Sequence, residues 1–392
     1  MPPGTAPLLR YLARKTLAGT VTVRLPDGSA ERVTGPQPGP IAEVTIHRPR
    51  VLRRLLLGGA NGFAESYLDG DFDTPDLTAL LLFGAANQAA WGDLLRGRWP
   101  LRLAAQLKHR LRPNSKPGSK RNIAAHYDLG NRFYGLWLDP SLTYSSAVFS
   151  DQDQALEAAQ DNKYRLICER AGIRQGDSVL EIGCGWGGFA LHAARERQAR
   201  VTAVTISDAQ FEAAAQRIQD AGLSDRVTLL KSDYRDLEGR YDAIVSIEMI
   251  EAVGERYWPT YFAKLRNLSL PGGKVALQAI TIDEHHFEHY RRSADFIQRH
   301  IFPGGMLPST KRIRQEAQAA GLSVAEEGGY GADYAQTLAL WRQRFEAAWQ
   351  DIAALGFDQR FRRLWRYYLA YCEAGFRAQR IDLRQIILAA ER

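Results

Sequence analysis

Val179-Leu180-Glu181-Ile182-Gly183-Cys184-Gly185-Trp186-Gly187-Gly188 decides the fold. Its apolar start reads as a buried strand, and the glycines that follow form a tight turn that lets backbone approach a ligand closely. Residues 189–197 then read as a helix. Further strands are expected at 200–206, 227–231, 241–247 and 273–280, the last after the turn Leu270-Pro271-Gly272-Gly273, with a helix over 209–221. Strands alternating with helices predict parallel pairing with right-handed crossovers. The expected fold class is α/β, Rossmann-like, preceded by a small N-terminal α+β domain.

The chain has 392 residues, enough for two domains at roughly 150 residues each. Apolar residues make up 45% of it, which supports a packed core and excludes a mostly disordered chain. Cys168, Cys184 and Cys372 are widely spaced and suggest neither a disulfide framework nor a zinc site, in keeping with a reducing, cytoplasmic setting. Every apolar stretch is broken by charge before the roughly 20 residues needed to span a bilayer. The net charge of +7 favours contact with a polyanion, either nucleic acid or an anionic membrane surface.

The clearest boundary is 96–121, where nine Lys and Arg residues occur without one Asp or Glu. It reads as a basic linker between an N-terminal domain (1–95) and a second domain (122–392), either a solvated hinge or, favoured by Trp91 and Trp99 nearby, a strip that docks on phospholipid head groups. In the first domain, strands are expected at 20–23 and 44–47 and helices at 52–57 and 77–90. Thr74 is expected to cap the second helix, with Pro75 at its first position.

Three details of the turn point to S-adenosylmethionine. Glu181 stands just before the glycines, where it can meet the amino group of the methionine part. No Arg or Lys in the turn reads a phosphate. Asp233 follows the third strand, at a position suited to reading adenine, beside Tyr234. Gly183, Gly185, Trp186 and Gly187 complete the turn. The second strand ends in Thr205-Ile206-Ser207 without the usual ribose-gripping acid; Thr205 and Gln210 are the neutral replacements.

These strings resemble the cyclopropane fatty acid synthases and the related mycolic acid and fatty-acid methyltransferases. The likeness rests on His126-Tyr127-Asp128-Leu129-Gly130-Asn131, Leu138-Asp139-Pro140, Tyr144-Ser145, the glycine turn, Val204-Thr205-Ile206-Ser207 and Asp233-Tyr234-Arg235-Asp236-Leu237. It continues through Ile301-Phe302-Pro303-Gly304-Gly305, Gly331-Ala332-Asp333-Tyr334 and Phe376-Arg377-Ala378. Gly62-Phe63-Ala64-Glu65-Ser66-Tyr67-Leu68-Asp69-Gly70 resembles the N-terminal domain of the phospholipid-acting members. The resemblance implies a class I Rossmann-like SAM methyltransferase acting on the cis double bond of an unsaturated acyl chain in membrane phospholipid. It also implies a dimer, peripherally associated with the membrane. Tyr144 and Ser145 would close over the methionine part of the cofactor. Residues 282–307 would be an insertion covering the acyl chain, lined by Phe296, Ile297, Ile301, Phe302 and Met306.

Methyl transfer to an alkene carbon leaves a carbocation on its neighbour, which needs a dry pocket and a base. Loss of a proton from the new methyl closes a cyclopropane; loss from a chain carbon gives a branched alkene. The resemblance implies a bound bicarbonate as base. Carried over by position, its shell here is Glu251, Tyr334, Ser146 (for a Cys that offers its backbone N–H) and Gln278 (for a His). Ala252 stands where His is usual, and Glu248 where Gly is common. Gln holds an anion less strongly than a cationic His, and Glu248 adds negative charge. Two readings follow: bicarbonate in an altered shell, with cyclopropane as product, or Glu248 or Glu251 as the base, with a branched or methylene product. Methylation of another lipophilic acceptor and an inactive lipid-binding homologue are further alternatives. A nucleic-acid methyltransferase is disfavoured, because the fourth strand ends in Glu248-Met249-Ile250-Glu251 without an Asn-Pro-Pro-Tyr motif. His285 and His289 have metal-pair spacing but read as a solvated helix face, and Cys184 reads as packing.

Overall fold

The computed structural model describes residues 11–96, 114–116, 118–119, 122 and 129–390. The linker's residues 97–113 and the motif residues 126–128 lie outside them. The chain forms two compact units that are not consecutive stretches: Met1–Leu111, Arg292–Ile301 and Trp349–Arg380 make one, and Arg112–Arg291, Phe302–Ala348 and Ile381–Arg392 the other. This differs from the expected division into consecutive 1–95 and 122–392 domains, because two later segments bury their apolar faces in the first unit.

In the first unit, strands β1 (Ala18–Arg24), β2 (Ala30–Thr34), β3 (Gln37–Ile46) and β4 (Phe72–Asp73) form a sheet in the order β2-β1-β3-β4. The helix starting at Leu77 is capped by Asp76, whose carboxylate accepts from Ala79 N at 2.9 Å, and not by Thr74. A carboxylate there also complements the helix dipole. The helix expected over 77–90 stops at Ala86. Asn87 is fully buried and turns its amide to the backbone, accepting from Leu17 N and Ala18 N and donating to Ala18 O and Phe83 O. The late helix Gln359–Arg377 belongs here: Arg363 stacks on Tyr67 at 4.2 Å and donates to Phe72 O, and Glu373 accepts from Thr78 Oγ1 at 3.0 Å. Phe296 joins it, 4.6 Å from the Tyr367 ring.

The second unit holds a seven-stranded sheet in the order β10-β11-β9-β8-β5-β6-β7. Its strands are β5 (Ser178–Ile182), β6 (Arg200–Thr205), β7 (Val227–Lys231), β8 (Tyr241–Ile247), β9 (Ser269–Ile282), β10 (Leu322–Gly329) and β11 (Ile381–Ala390). Strands β5 to β9 pair in parallel, and β11 runs antiparallel to both β9 and β10. The apolar runs of β5 and β8 are those of strands covered on both faces. The Leu270–Gly273 turn is not a separate turn: β9 begins at Ser269 opposite Tyr241, and a register shift absorbs these residues before Lys274 pairs with Ala243. The segment 282–307 is divided. Phe296, Ile297 and Ile301 fall in the first unit, whereas Phe302 and Met306 fall in the second, with Met306 packed in its main core. No helix among the described residues is long and apolar enough to cross a membrane.

Candidate active site

The glycine turn leaves the carboxyl end of β5, the middle one of the five parallel strands, where neighbouring connections run to opposite sides, the usual ligand position in such sheets. Gly183 has φ +84°, and a Cβ there would stand 2.9 Å from Met249 Cγ, so the turn packs on the residue after Glu248. Glu181 is 3% exposed, and its Oε2 has no hydrogen-bond partner among the described residues. Burial pushes its carboxyl up to about 8. An orphaned buried carboxylate oxygen beside a turn that tolerates close approach fits the ammonium group of S-adenosylmethionine.

The other expected cofactor residues divide. Thr205 donates to Gln210 Oε1 at 3.0 Å, so these two neutral groups come together at the end of β6. Asp233 is held in a bidentate pair by Arg235 (2.8 Å from both Nε and Nη2), which keeps its carboxyl below the ordinary range. Tyr234 beside it is buried against Tyr261 at 5.5 Å. Trp186 donates to Asn131 Oδ1 at 2.7 Å and packs on Tyr134, while Tyr144 packs among Tyr134, Trp137 and Trp341.

Residues 144–149 form a strap fastened by two helices. From the helix Leu156–Ala171, Gln160 Nε2 donates to Ser145 O at 2.9 Å, Lys163 Nζ donates to Ser145 Oγ at 2.8 Å, and Asn162 Nδ2 donates to Val148 O at 2.8 Å. From the helix Gly331–Ala347, Thr337 Oγ1 accepts from Ala147 N at 3.2 Å, and Asp333 Oδ1 accepts from Phe149 N at 2.7 Å. Gln160 and Lys163 were not among the expected site residues. The signal for them is positional: with Leu156, Ala159, Tyr164 and Ile167 they lie on the buried face of an amphipathic helix.

Four of the five expected catalytic residues converge on one carboxylate. Glu248 Oε1 accepts from Ser146 N and from Gln278 Nε2, both at 2.9 Å, and Oε2 accepts from Tyr334 OH at 2.6 Å. A chain of side chains fixes the Gln278 amide. Arg170 Nη1 donates to Gln385 Oε1 at 3.0 Å, and Gln385 Nε2 donates to Gln278 Oε1 at 2.9 Å. Gln278 and Gln385 are direct partners across β9 and β11. Because a guanidinium only donates, the order of donors is set, and Gln278 must present its NH₂ to Glu248. Glu248 has φ +52°, a left-handed conformation that costs a non-glycine residue about 1–2 kcal/mol. Burial raises its carboxyl above the usual range, and the three donors and Lys163 oppose this.

Glu251, the fifth, is not in that shell. Its Oε1 accepts from Ile280 N at 2.5 Å, and its Oε2 is shut off from water with no partner among the described residues. Burial, then the nearby Glu248 carboxylate, pushes it up to about 8. The cofactor-free enzyme is therefore expected to lose stability as pH rises. Between about 4.5 and about 8 the native state keeps a proton on Glu251 and on Glu181 that the unfolded chain has lost. Each group then contributes a slope of up to about 1.4 kcal/mol per pH unit. Thermal unfolding at pH 5 to 7 should show a falling Tm, and Glu251→Gln should flatten it. An unchanged slope in that variant would remove the assignment. Lys163, with its ammonium lowered to about 7 by burial, acts in the opposite sense only above pH 7.

Among the described residues no group of His, Cys, Asp and Glu could hold a metal ion. His285 is exposed and pairs with Asp283 at 3.1 Å.

Strand order and turn together define a class I S-adenosylmethionine-dependent methyltransferase. The family model described as mycolic acid cyclopropane synthetase matches residues 114–386, and the chain belongs to that family. It is 40% identical to the tuberculostearic acid methyltransferase UfaA1 of Mycobacterium tuberculosis, over 99% of this chain and 92% of the relative. It is 37% identical to the cyclopropane-fatty-acyl-phospholipid synthase of Escherichia coli, over 89% of this chain and 88% of the relative. The crystal structure of mycolic acid cyclopropane synthase CmaA1 complexed with SAH and CTAB superposes with a TM-score of 0.65 at 30% identity, covering 69% of this chain and 98% of that one.

Proposed function

We propose that this enzyme methylates the cis double bond of unsaturated acyl chains in membrane phospholipid, that the Glu248 carboxylate is the base, and that the product is a branched alkene. When bound, S-adenosylmethionine would supply an electrophilic methyl group, the carbon–sulfur electron pair staying on sulfur so that S-adenosylhomocysteine leaves. Glu181 would hold its ammonium group, with Tyr144, Ser145, Thr205 and Gln210 around the remainder. The alkene's π electrons form the new C–CH₃ bond, and the neighbouring carbon becomes cationic. Glu248 then takes a proton from a chain carbon, and that C–H pair forms the new double bond.

The observation that carries this reading is the occupancy of the anion shell. Ser146 N–H, Gln278 and Tyr334, three of the groups expected to hold bicarbonate, all donate to Glu248. Their donors are spent on a side chain, so bicarbonate has no remaining set of partners there. A base tethered at residue 248 is fixed in place, and the place of the base selects which C–H bond breaks. The name of the relative at 40% identity, a methyltransferase, agrees with this. The net charge of +7 suits an anionic lipid surface.

The test is incubation with S-adenosylmethionine and vesicles of monounsaturated phosphatidylglycerol, followed by NMR of the released acyl chains. A branched alkene without cyclopropane ring protons is expected, at a rate insensitive to removal of bicarbonate. A cyclopropane as sole product, or loss of activity in bicarbonate-free buffer, would overturn the proposal.

A further inference from the structure

Lys163 is fully buried, yet the reaction as described does not use it. Its only hydrogen bond among the described residues goes to Ser145 Oγ, and it has no ion pair there within 4 Å. Three acids act on it through space: Glu248 after β8, Asp139 in the loop before the strap, and Glu181 on β5. On its own helix the neighbouring Tyr164 ring lies 4.4 Å from the ammonium. Asp139 is already satisfied by Ser141 N, Ser141 Oγ and Thr143 N. Glu181 and Glu248 are the two that must be carboxylates to work, one to meet the cofactor's ammonium and one to take a proton. Burial opposes the charged form of both.

We propose that Lys163 is a positioning residue whose buried ammonium is shared electrostatically by Glu181 and Glu248, favouring the charged form of each while it anchors Ser145 of the strap. The geometry suits this double duty. The same strap gives Ser145 to Lys163 and its next amide, Ser146 N–H, to Glu248. A charge fastened to the residue before the one whose amide serves Glu248, and acting on Glu181 through space, favours the charged form of both without contact to either. Burial works against the ammonium, and the surrounding carboxylates hold its proton on. The site is thus mutually supporting over a limited pH window.

The part concerning Glu248 rests on the proposed base; the part concerning Glu181 does not. The experiment therefore has two readouts, made on the full enzyme: the pH dependence of S-adenosylmethionine affinity by titration calorimetry, without lipid, and the pH dependence of kcat on unsaturated vesicles. Lys163→Gln keeps a donor for Ser145 but removes the charge, and Lys163→Arg keeps the charge. In Lys163→Gln the acidic midpoint of both profiles is expected to move up by at least half a pH unit, and in Lys163→Arg to stay near wild type. If the binding midpoint moves and the kcat midpoint does not, the base assignment fails while the cofactor role of Lys163 stands. If neither moves in Lys163→Gln, the proposal is overturned. Should Lys163→Gln not fold, Ser145→Ala decides. Without its acceptor the ammonium gives up its proton earlier, so both midpoints should shift upward by a smaller amount, and unmoved midpoints overturn the proposal.

Discussion

Glu248→Gln is expected to lower kcat by about three to four powers of ten while S-adenosylmethionine affinity stays within about threefold of wild type, the split that loss of a general base without loss of binding produces. Glutamine has the shape of glutamate and can still accept from Ser146 N and Gln278 Nε2, so the shell has no reason to collapse. What it cannot do is take a proton. Single-turnover kinetics on vesicles, with calorimetry for the cofactor, measures both numbers. A variant that turns over near the wild-type rate ends the assignment.

Glu248→Gly makes the complementary case. Residue 248 sits at φ +52°, so glycine relieves strain, and the variant should be no less stable than wild type. It also leaves Ser146 N–H, Gln278 and Tyr334 facing an empty acceptor position. Formate or bicarbonate should then restore part of the lost turnover, whereas neither should help Glu248→Gln, whose side chain still fills the space. Absence of rescue by any small carboxylate or bicarbonate would argue that the shell positions Glu248 for a purpose other than proton transfer.

Glu181→Gln should weaken S-adenosylmethionine binding by about 30- to 100-fold, the worth of a charge-assisted hydrogen bond of roughly 2–3 kcal/mol in a buried site. The same change should make the cofactor-free protein more stable at pH 8. It removes a buried carboxyl whose Oε2 has no partner and whose ionisation burial opposes. At 392 residues each kcal/mol relieved raises Tm by about 1 °C. Weaker binding coupled to a higher Tm is a signature that a merely structural glutamate would not give. Calorimetry showing wild-type affinity would take Glu181 out of the cofactor site.

Parts of this architecture are legible from residue patterns, for identifiable reasons. Strands β5, β6 and β8 bury both faces, so their apolar runs stand out, and the expected ends of β5 to β8 agree with the observed ones to within a residue. β10 was not foreseen: an edge strand with Glu326 exposed and Glu327 half-buried carries no apolar alternation. The N-terminal helix was expected over 52–57 but runs Arg50–Leu68, a helix interrupted at Gly59, which the pattern could not bridge. Asn87 ended a helix that periodicity would have continued, because its amide is needed by backbone 70 residues away.

The same division holds at the site. Residue order alone raised the expectation of a methyl donor at the β5 turn, of a departure from the family's pattern at Gln278 and Glu248, and of Ser146 and Tyr334 beside them, since these depend on residue type at a motif position. Only the tertiary structure decided that Ser146, Gln278 and Tyr334 all donate to Glu248, that Glu251 stands outside that set, and that the buried Lys163 donates to Ser145. Those facts depend on groups separated by 18 to more than 100 residues meeting in space. A carboxylate's role is set by how many donors reach it and how much water does not, and neither quantity is written along the chain.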